Sequence, residues 1–126
     1  MNNKILILED EEVLGRIYKK RLEKAGYVVN WCKTAEETEL ELEHFMADIV
    51  LLDHGIKGME KSGLELIPTV KEHLPNAHVI MLSNYSAEQL QTDAVYKGAD
   101  AYLIKINTPP KVLVEYLHSH VSVILK

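Results

Sequence analysis

Short apolar runs recur along the chain at a regular interval: Ile5-Leu6-Ile7-Leu8, Tyr27-Val28-Val29, Ile49-Val50-Leu51-Leu52, Val79-Ile80-Met81-Leu82 and Ala101-Tyr102-Leu103-Ile104. Each is rich in β-branched residues or Leu and mostly non-alternating. Such runs fit strands buried on both faces, as in a parallel sheet covered by helices. Helical periodicity fills the gaps. Residues 11–25 carry Leu14, Ile17, Tyr18, Leu22 and Ala25 on one stripe, with Gly26 as the stop. Thr34 followed by Glu37 reads as a capping box, and the stripe after it is Ala35, Leu40, Leu42 and Phe45. Ser62 opens a third pattern with Leu64, Ile67, Val70 and Leu74, in which Pro68 is expected to kink the helix or delay its start. Ser86 and Gln89 form a second capping box before Leu90, Ala94, Val95 and Gly98. Thr108-Pro109-Pro110 marks a last helix start, with Val112, Leu113, Tyr116, Leu117 and Val121 facing the core.

Five repeats of strand then helix predict an α/β fold with right-handed crossovers and helices on both faces of a parallel sheet. The chain has 126 residues, 47% of them apolar, which suits one domain over 1–126 and argues against disorder. The net charge of −5 without a basic run disfavours direct nucleic-acid binding. A single cysteine, Cys32, excludes an internal disulfide and fits a cytoplasmic protein. The N-terminal apolar run is too short for a membrane span or a signal peptide, and no membrane association is expected.

In open parallel sheets the functional site lies beyond the carboxyl ends of the strands. The residues there are Glu9, Asp10 and Glu11 after the first run, Asp53 after the third, Ser83 and Asn84 after the fourth, and Lys105 after the fifth. Clustered carboxylates repel unless a cation joins them. Mg²⁺ is the hard cation that takes a couple of carboxylates, keeps waters and also binds phosphate oxygens. A metal there leaves Asp53 free to attack a phosphoryl group, with Lys105 and Ser83 on the phosphoryl oxygens.

These stretches, "ILILEDEE", "DIVLLD", "IMLS" and "GADAYLIK", stand in order, and with them the chain resembles the receiver domain of two-component response regulators. The resemblance spans nearly the whole sequence. It implies a flavodoxin-like (βα)5 three-layer sandwich with strand order 2-1-3-4-5. It implies that Asp53 takes a phosphoryl group from a phosphohistidine on a histidine kinase or a histidine phosphotransfer protein. The Mg²⁺ ligands it implies are Asp10, Asp53, the backbone carbonyl of Gly55 and, through water, Glu9. Ser83 and Tyr102 become the switch residues, and the surface of the fourth helix, fifth strand and fifth helix the face read by a downstream protein. Members of the family often pair through that face as homodimers, though nothing in this sequence requires it.

Departures from the family pattern are local. Lys57 stands where receivers usually carry proline, in a loop, "HGIKGMEKSG", about two residues longer than usual. Ile106 replaces the proline that usually follows the lysine. A cis bond without proline costs roughly 2.5–4 kcal/mol, which predicts a trans Lys105–Ile106 bond, or a strained cis one held by the fold, and a less secure Lys105. The resemblance implies a pocket rim at His54, Asn84 and Tyr85, and the bulk of Asn84 and Tyr85 is expected to slow loss of the phosphate. These departures favour an alternative, a degenerate receiver used only as an unphosphorylated docking module; the intact carboxylates oppose it. A phosphohydrolase would need a second acid where Gly55 stands, and a flavin carrier would need a glycine-rich loop where "EDEE" stands. Apart from its own Asp phosphorylation and dephosphorylation, no enzyme activity is expected. The scattered histidines, including His118 and His120 on different helix faces, do not suggest a transition-metal site.

Overall fold

The computed structural model describes residues 3–54 and 63–121. Gly55, Lys57, Lys61 and Ser62, on which expectations about the loop, the metal and the third helix start rest, lie outside the described residues. The strands are β1 (Lys4–Leu8), β2 (Val28–Cys32), β3 (Ile49–Asp53), β4 (His78–Ser83) and β5 (Ala101–Ile104). The helices are α1 (Glu12–Lys24), α2 (Ala35–Leu42), α3 (Gly63–His73), α4 (Glu88–Lys97) and α5 (Pro110–His120). All strand pairs are parallel, in the order β2-β1-β3-β4-β5. This is the flavodoxin-like arrangement.

Alternation along the buried strands sends side chains to two cores. Leu6, Leu8, Val50, Leu52, Val79 and Met81 meet residues of α2, α3 and α4 on one face. Ile5, Ile7, Ile49, Leu51, Ile80 and Leu82 meet α1 and α5 on the other. A sheet covered on both faces needs continuous apolar runs, which is why β1, β3 and β4 do not alternate in the sequence.

The helices depart from the predicted stripes where side-chain chemistry competes with hydrophobicity. In α2 the inward residues are Ala35, Thr38 and Leu42, while Leu40 is 62% exposed. Thr38 passes as a core residue because its hydroxyl donates to the Thr34 carbonyl at 2.9 Å. The Thr34 cap forms, with Glu37 N–H donating to Thr34 Oγ1 at 3.0 Å and the Glu37 carboxylate accepting from Lys33 N–H at 2.9 Å. The helix then ends at Leu42, so Phe45 lies beyond it. The Ser86–Gln89 capping box does not form. Ala87 is the N-cap, Gln89 turns forward to Asp93, and the Ser86 carbonyl accepts from Gln91. Of the predicted α4 stripe only Ala94 is buried, and Val95 is 62% exposed. Ile17 and Val112 are likewise exposed rather than inward. α3 runs from Gly63 through Pro68 without a delayed start. Gly26, at φ 106°, stops α1 as expected, since a left-handed residue there costs least as glycine.

Gly63 is the packing feature that matters most to the site. A Cβ placed there would overlap the Asp53 carbonyl oxygen and press on Leu52 Cβ at 3.3 Å. The start of α3 is thus seated directly on the end of β3, which only glycine permits. Gly63→Ala is expected to destabilise the protein by about 1–3 kcal/mol, as overpacking does in close-packed interiors. Urea denaturation measures it, and an unchanged midpoint would refute the close approach.

Candidate functional site

Strand register assembles the site as a staircase. Leu8 lies level with Leu52, so Glu9 and Asp53 come out side by side. Asp53 pairs with Leu82, so Ser83 stands one step further along β4. Ser83 pairs with Ile104, so Lys105 stands one step further still. Glu9, Asp53 and Ser83 are all buried.

Lys105 Nζ lies 2.8 Å from Glu9 Oε1 and 3.1 Å from Asp53 Oδ2, with only 9% of its side chain exposed. The other Glu9 oxygen, Oε2, accepts from Glu11 N–H at 3.2 Å. Glu9, Asp10 and Asp53 each offer a carboxylate oxygen, all within 4.8 Å of one another, and Asp10 is the open member. Three hard oxygen donors with one side towards water suit a small divalent cation such as Mg²⁺ better than any soft metal.

Burial is the largest cause pushing Glu9 up, to about 7; the Lys105 hydrogen bond opposes it and the Asp53 charge adds to it. Burial alone would lower Lys105, but the Glu9 hydrogen bond and the charges of both carboxylates outweigh it, so the ammonium is held above its usual range. The Glu9 shift has a stability consequence. The unfolded value is 4.5, so between 4.5 and about 7 the folded state holds a proton that the unfolded chain has lost. The resulting stabilisation is complete below pH 4.5 and disappears as pH rises through about 7. In metal-free buffer Glu9 is expected to cost roughly 3 kcal/mol of stability across that window. Urea midpoints followed from acid to alkaline pH should show the decline in the wild type, not in Glu9→Gln, and less of it with Mg²⁺ present. A parallel decline in both proteins would contradict the assignment.

The turn after β1 is pinned from β2. Trp31 Nε1 donates to the Glu9 carbonyl at 2.8 Å, and Glu9 N–H donates to the Cys32 carbonyl at 3.0 Å. The Trp31 ring lies against α1 where a Cβ at Gly15 would collide with it. Tyr18, read from sequence as a core position, also lies in the field of Lys105, Glu9 and Asp53, and its hydroxyl donates to the Thr108 carbonyl at 3.5 Å. Gly63, Trp31 and Tyr18 are supporting residues that the strand-end argument missed. For Trp31 and Tyr18 the only sequence signal was burial, and for Gly63 there was none beyond its place at a predicted helix start.

The rim residues gather around Tyr85. Its N–H donates to Ser83 Oγ at 3.0 Å, its carbonyl accepts from the Tyr102 hydroxyl at 2.8 Å, and its ring meets that of His54. Asn84 is exposed beside them. Peptide bonds among the described residues are all trans, Lys105–Ile106 included. A 3₁₀ turn, Lys105–Asn107, follows β5 and leaves Ile106 86% exposed, while the Thr108 hydroxyl donates to the Ile104 carbonyl at 2.7 Å. Lys105 reaches both carboxylates without the proline. His118 stacks on Tyr27 and His120 on Tyr116, away from this edge of the sheet.

The family model described as the response regulator receiver domain matches residues 5–117. The chain belongs to that family. Among curated relatives of this receiver, the phosphate regulon transcriptional regulatory protein PhoB of Rhizobium meliloti is 30% identical over 115 residues, 87% of this chain and 48% of the relative. The alginate biosynthesis transcriptional regulatory protein AlgB of Pseudomonas putida is 28% identical, over 86% of this chain but 24% of its own length. The receiver therefore spans half or less of these regulators. A CheY-like receiver domain protein from Methanospirillum hungatei superposes with a TM-score of 0.85 at 28% identity, covering 94% of this chain and 93% of its own. Among the described residues, no helix of the receiver is long and apolar enough to cross a membrane.

Proposed function

We propose that this receiver is a phosphoacceptor switch. Asp53 accepts a phosphoryl group from a phosphohistidine on a histidine kinase or histidine phosphotransfer protein, with Mg²⁺ at Glu9, Asp10 and Asp53, and the change is read at the α4-β5-α5 surface. The observation that carries this reading is the buried Lys105 ammonium spanning Asp53 and Glu9.

An Asp53 carboxylate oxygen attacks phosphorus as the bond from phosphorus to the imidazole nitrogen breaks, leaving an acyl phosphate and a free histidine. Phosphoryl transfer needs mainly positioning and neutralised charge. Lys105, poised at 3.1 Å from Asp53, turns its charge to the incoming phosphoryl oxygens, and the Ser83 hydroxyl is one strand step away. Bound Mg²⁺ would offset the charge of the carboxylates and of the phosphoryl group. A phosphoryl group engaged by Ser83 is felt at Tyr85, whose backbone holds both Ser83 and Tyr102. New charge thereby biases a two-state element reaching the surface. The receiver is proposed to act as one domain over 1–126.

Intact mass after incubation with acetyl phosphate tests the reading. One phosphoryl group added with Mg²⁺ and none without it is the expected result. Mg²⁺ binding without any phosphoryl addition would instead favour an unphosphorylated docking module.

A further inference from the structure

Tyr85 is held from three sides. Its N–H donates to Ser83 Oγ at 3.0 Å, and its carbonyl accepts from Tyr102 at 2.8 Å. Its ring meets the His54 ring edge-on, with centroids 5.9 Å apart and planes at 79°. That is a favourable geometry for two aromatic rings. His54 is itself fixed, because it directly follows Asp53 and its N–H donates to the Leu82 carbonyl at 3.1 Å. Its buried Nδ1 has no hydrogen-bond partner among the described residues. What this side chain offers Tyr85 is therefore ring contact rather than a polar bond.

The consequence falls on Ser83, which is fully buried. A hydroxyl has one proton and two acceptor positions. The Tyr85 amide takes one acceptor position, which restricts the side-chain rotation and leaves the proton to be donated. A hydroxyl that accepts a hydrogen bond also donates a stronger one. We propose that Tyr85, clamped by the His54 ring, is a positioning residue that presets the Ser83 hydroxyl to donate to a phosphoryl group on Asp53. The proposal rests on the reading of Asp53 as the phosphoacceptor.

The test compares His54→Ala, His54→Phe, Tyr85→Ala and the His54→Ala/Tyr85→Ala double variant. Two readouts are taken: the rate of phosphoryl uptake from acetyl phosphate at saturating Mg²⁺, and hydrogen exchange of the Tyr85 amide in unphosphorylated protein. Each alanine variant should slow uptake roughly tenfold, the size of one misplaced hydrogen bond to the transferring group, with Mg²⁺ affinity unchanged. The double variant should be no slower than either single one. His54→Phe, which keeps a ring and loses the nitrogens, should restore both the rate and the slow exchange that His54→Ala loses. Multiplied effects in the double variant, equal protection of the Tyr85 amide in His54→Ala, or a His54→Phe variant as slow as His54→Ala would each overturn the proposal. Should the wild type take up no phosphoryl group, the phosphoacceptor reading fails, while amide exchange still decides the clamp.

Discussion

Asp53→Asn is expected to take up no phosphoryl group from acetyl phosphate, at any Mg²⁺ concentration, while remaining folded. The substitution keeps the shape of the side chain and removes its nucleophilic oxygen anion. Of the carboxylates at this edge, Asp53 alone ends the central strand β3, with Lys105 Nζ 3.1 Å away and Ser83 beside it on β4. Glu9 is engaged by Lys105 and by the Glu11 amide, and Asp10 lies at the open side. Neither is set to replace it. The variant should not be destabilised by the loss of charge. Burial is the main cause of the raised Glu9 value, but the Asp53 charge adds to it, so removing that charge brings Glu9 back down. Urea denaturation at neutral pH should show a midpoint at or above that of the wild type. Phosphoryl uptake in Asp53→Asn at the wild-type rate would place the acceptor elsewhere.

Lys105→Met should produce the largest loss of stability, and one that depends on pH. It removes the ammonium that spans two carboxylates exposed by only 2% and 8%. Breaking a buried pair by deleting one partner costs about 3–5 kcal/mol, because the remaining charge is left uncompensated. Protonation offers an escape. Without Lys105, Glu9 moves further above about 7, so the folded variant gains a proton more readily than the unfolded chain. The cost therefore grows as pH rises past about 7 and shrinks as pH falls below it. Urea midpoints of wild type and variant in acidic and in alkaline buffer measure it. An equal difference at both would mean that Lys105 is not paired with Glu9 in solution. Lys105→Arg should recover much of the stability but little of the phosphorylation rate, since a planar guanidinium does not reproduce the point charge of an ammonium.

The sheet was legible because its strands are buried on both faces. A run such as Ile49 to Leu52 has no other inexpensive place to go, and Asp53 follows it as a carboxylate delivered to the sheet edge. Glu9, Ser83 and Lys105 followed from the same rule, and the register between neighbouring strands brings them together. Helix faces were less legible. Thr38 replaced Leu40 in the core because a backbone hydrogen bond satisfied its hydroxyl, which hydrophobic periodicity does not weigh. Ser86 and Gln89 matched a capping pattern, yet their partners lie later in α4. The supports of the site were hidden for a different reason. Gly63 matters through a side chain it lacks, and Trp31 through a bond to the Glu9 backbone from a neighbouring strand. Such roles depend on three-dimensional proximity and leave little trace in local sequence.

The phosphoryl group is expected on Asp53. An acyl phosphate reacts with borohydride, which converts the phosphorylated aspartate to homoserine and releases phosphate. Treating the receiver with acetyl phosphate and Mg²⁺, reducing it, and sequencing its peptides by tandem mass spectrometry locates the acceptor directly. Homoserine at position 53, dependent on Mg²⁺, is the predicted result. Homoserine at position 10 instead, or at no position after a measured phosphoryl uptake, would rule out Asp53 as the acceptor.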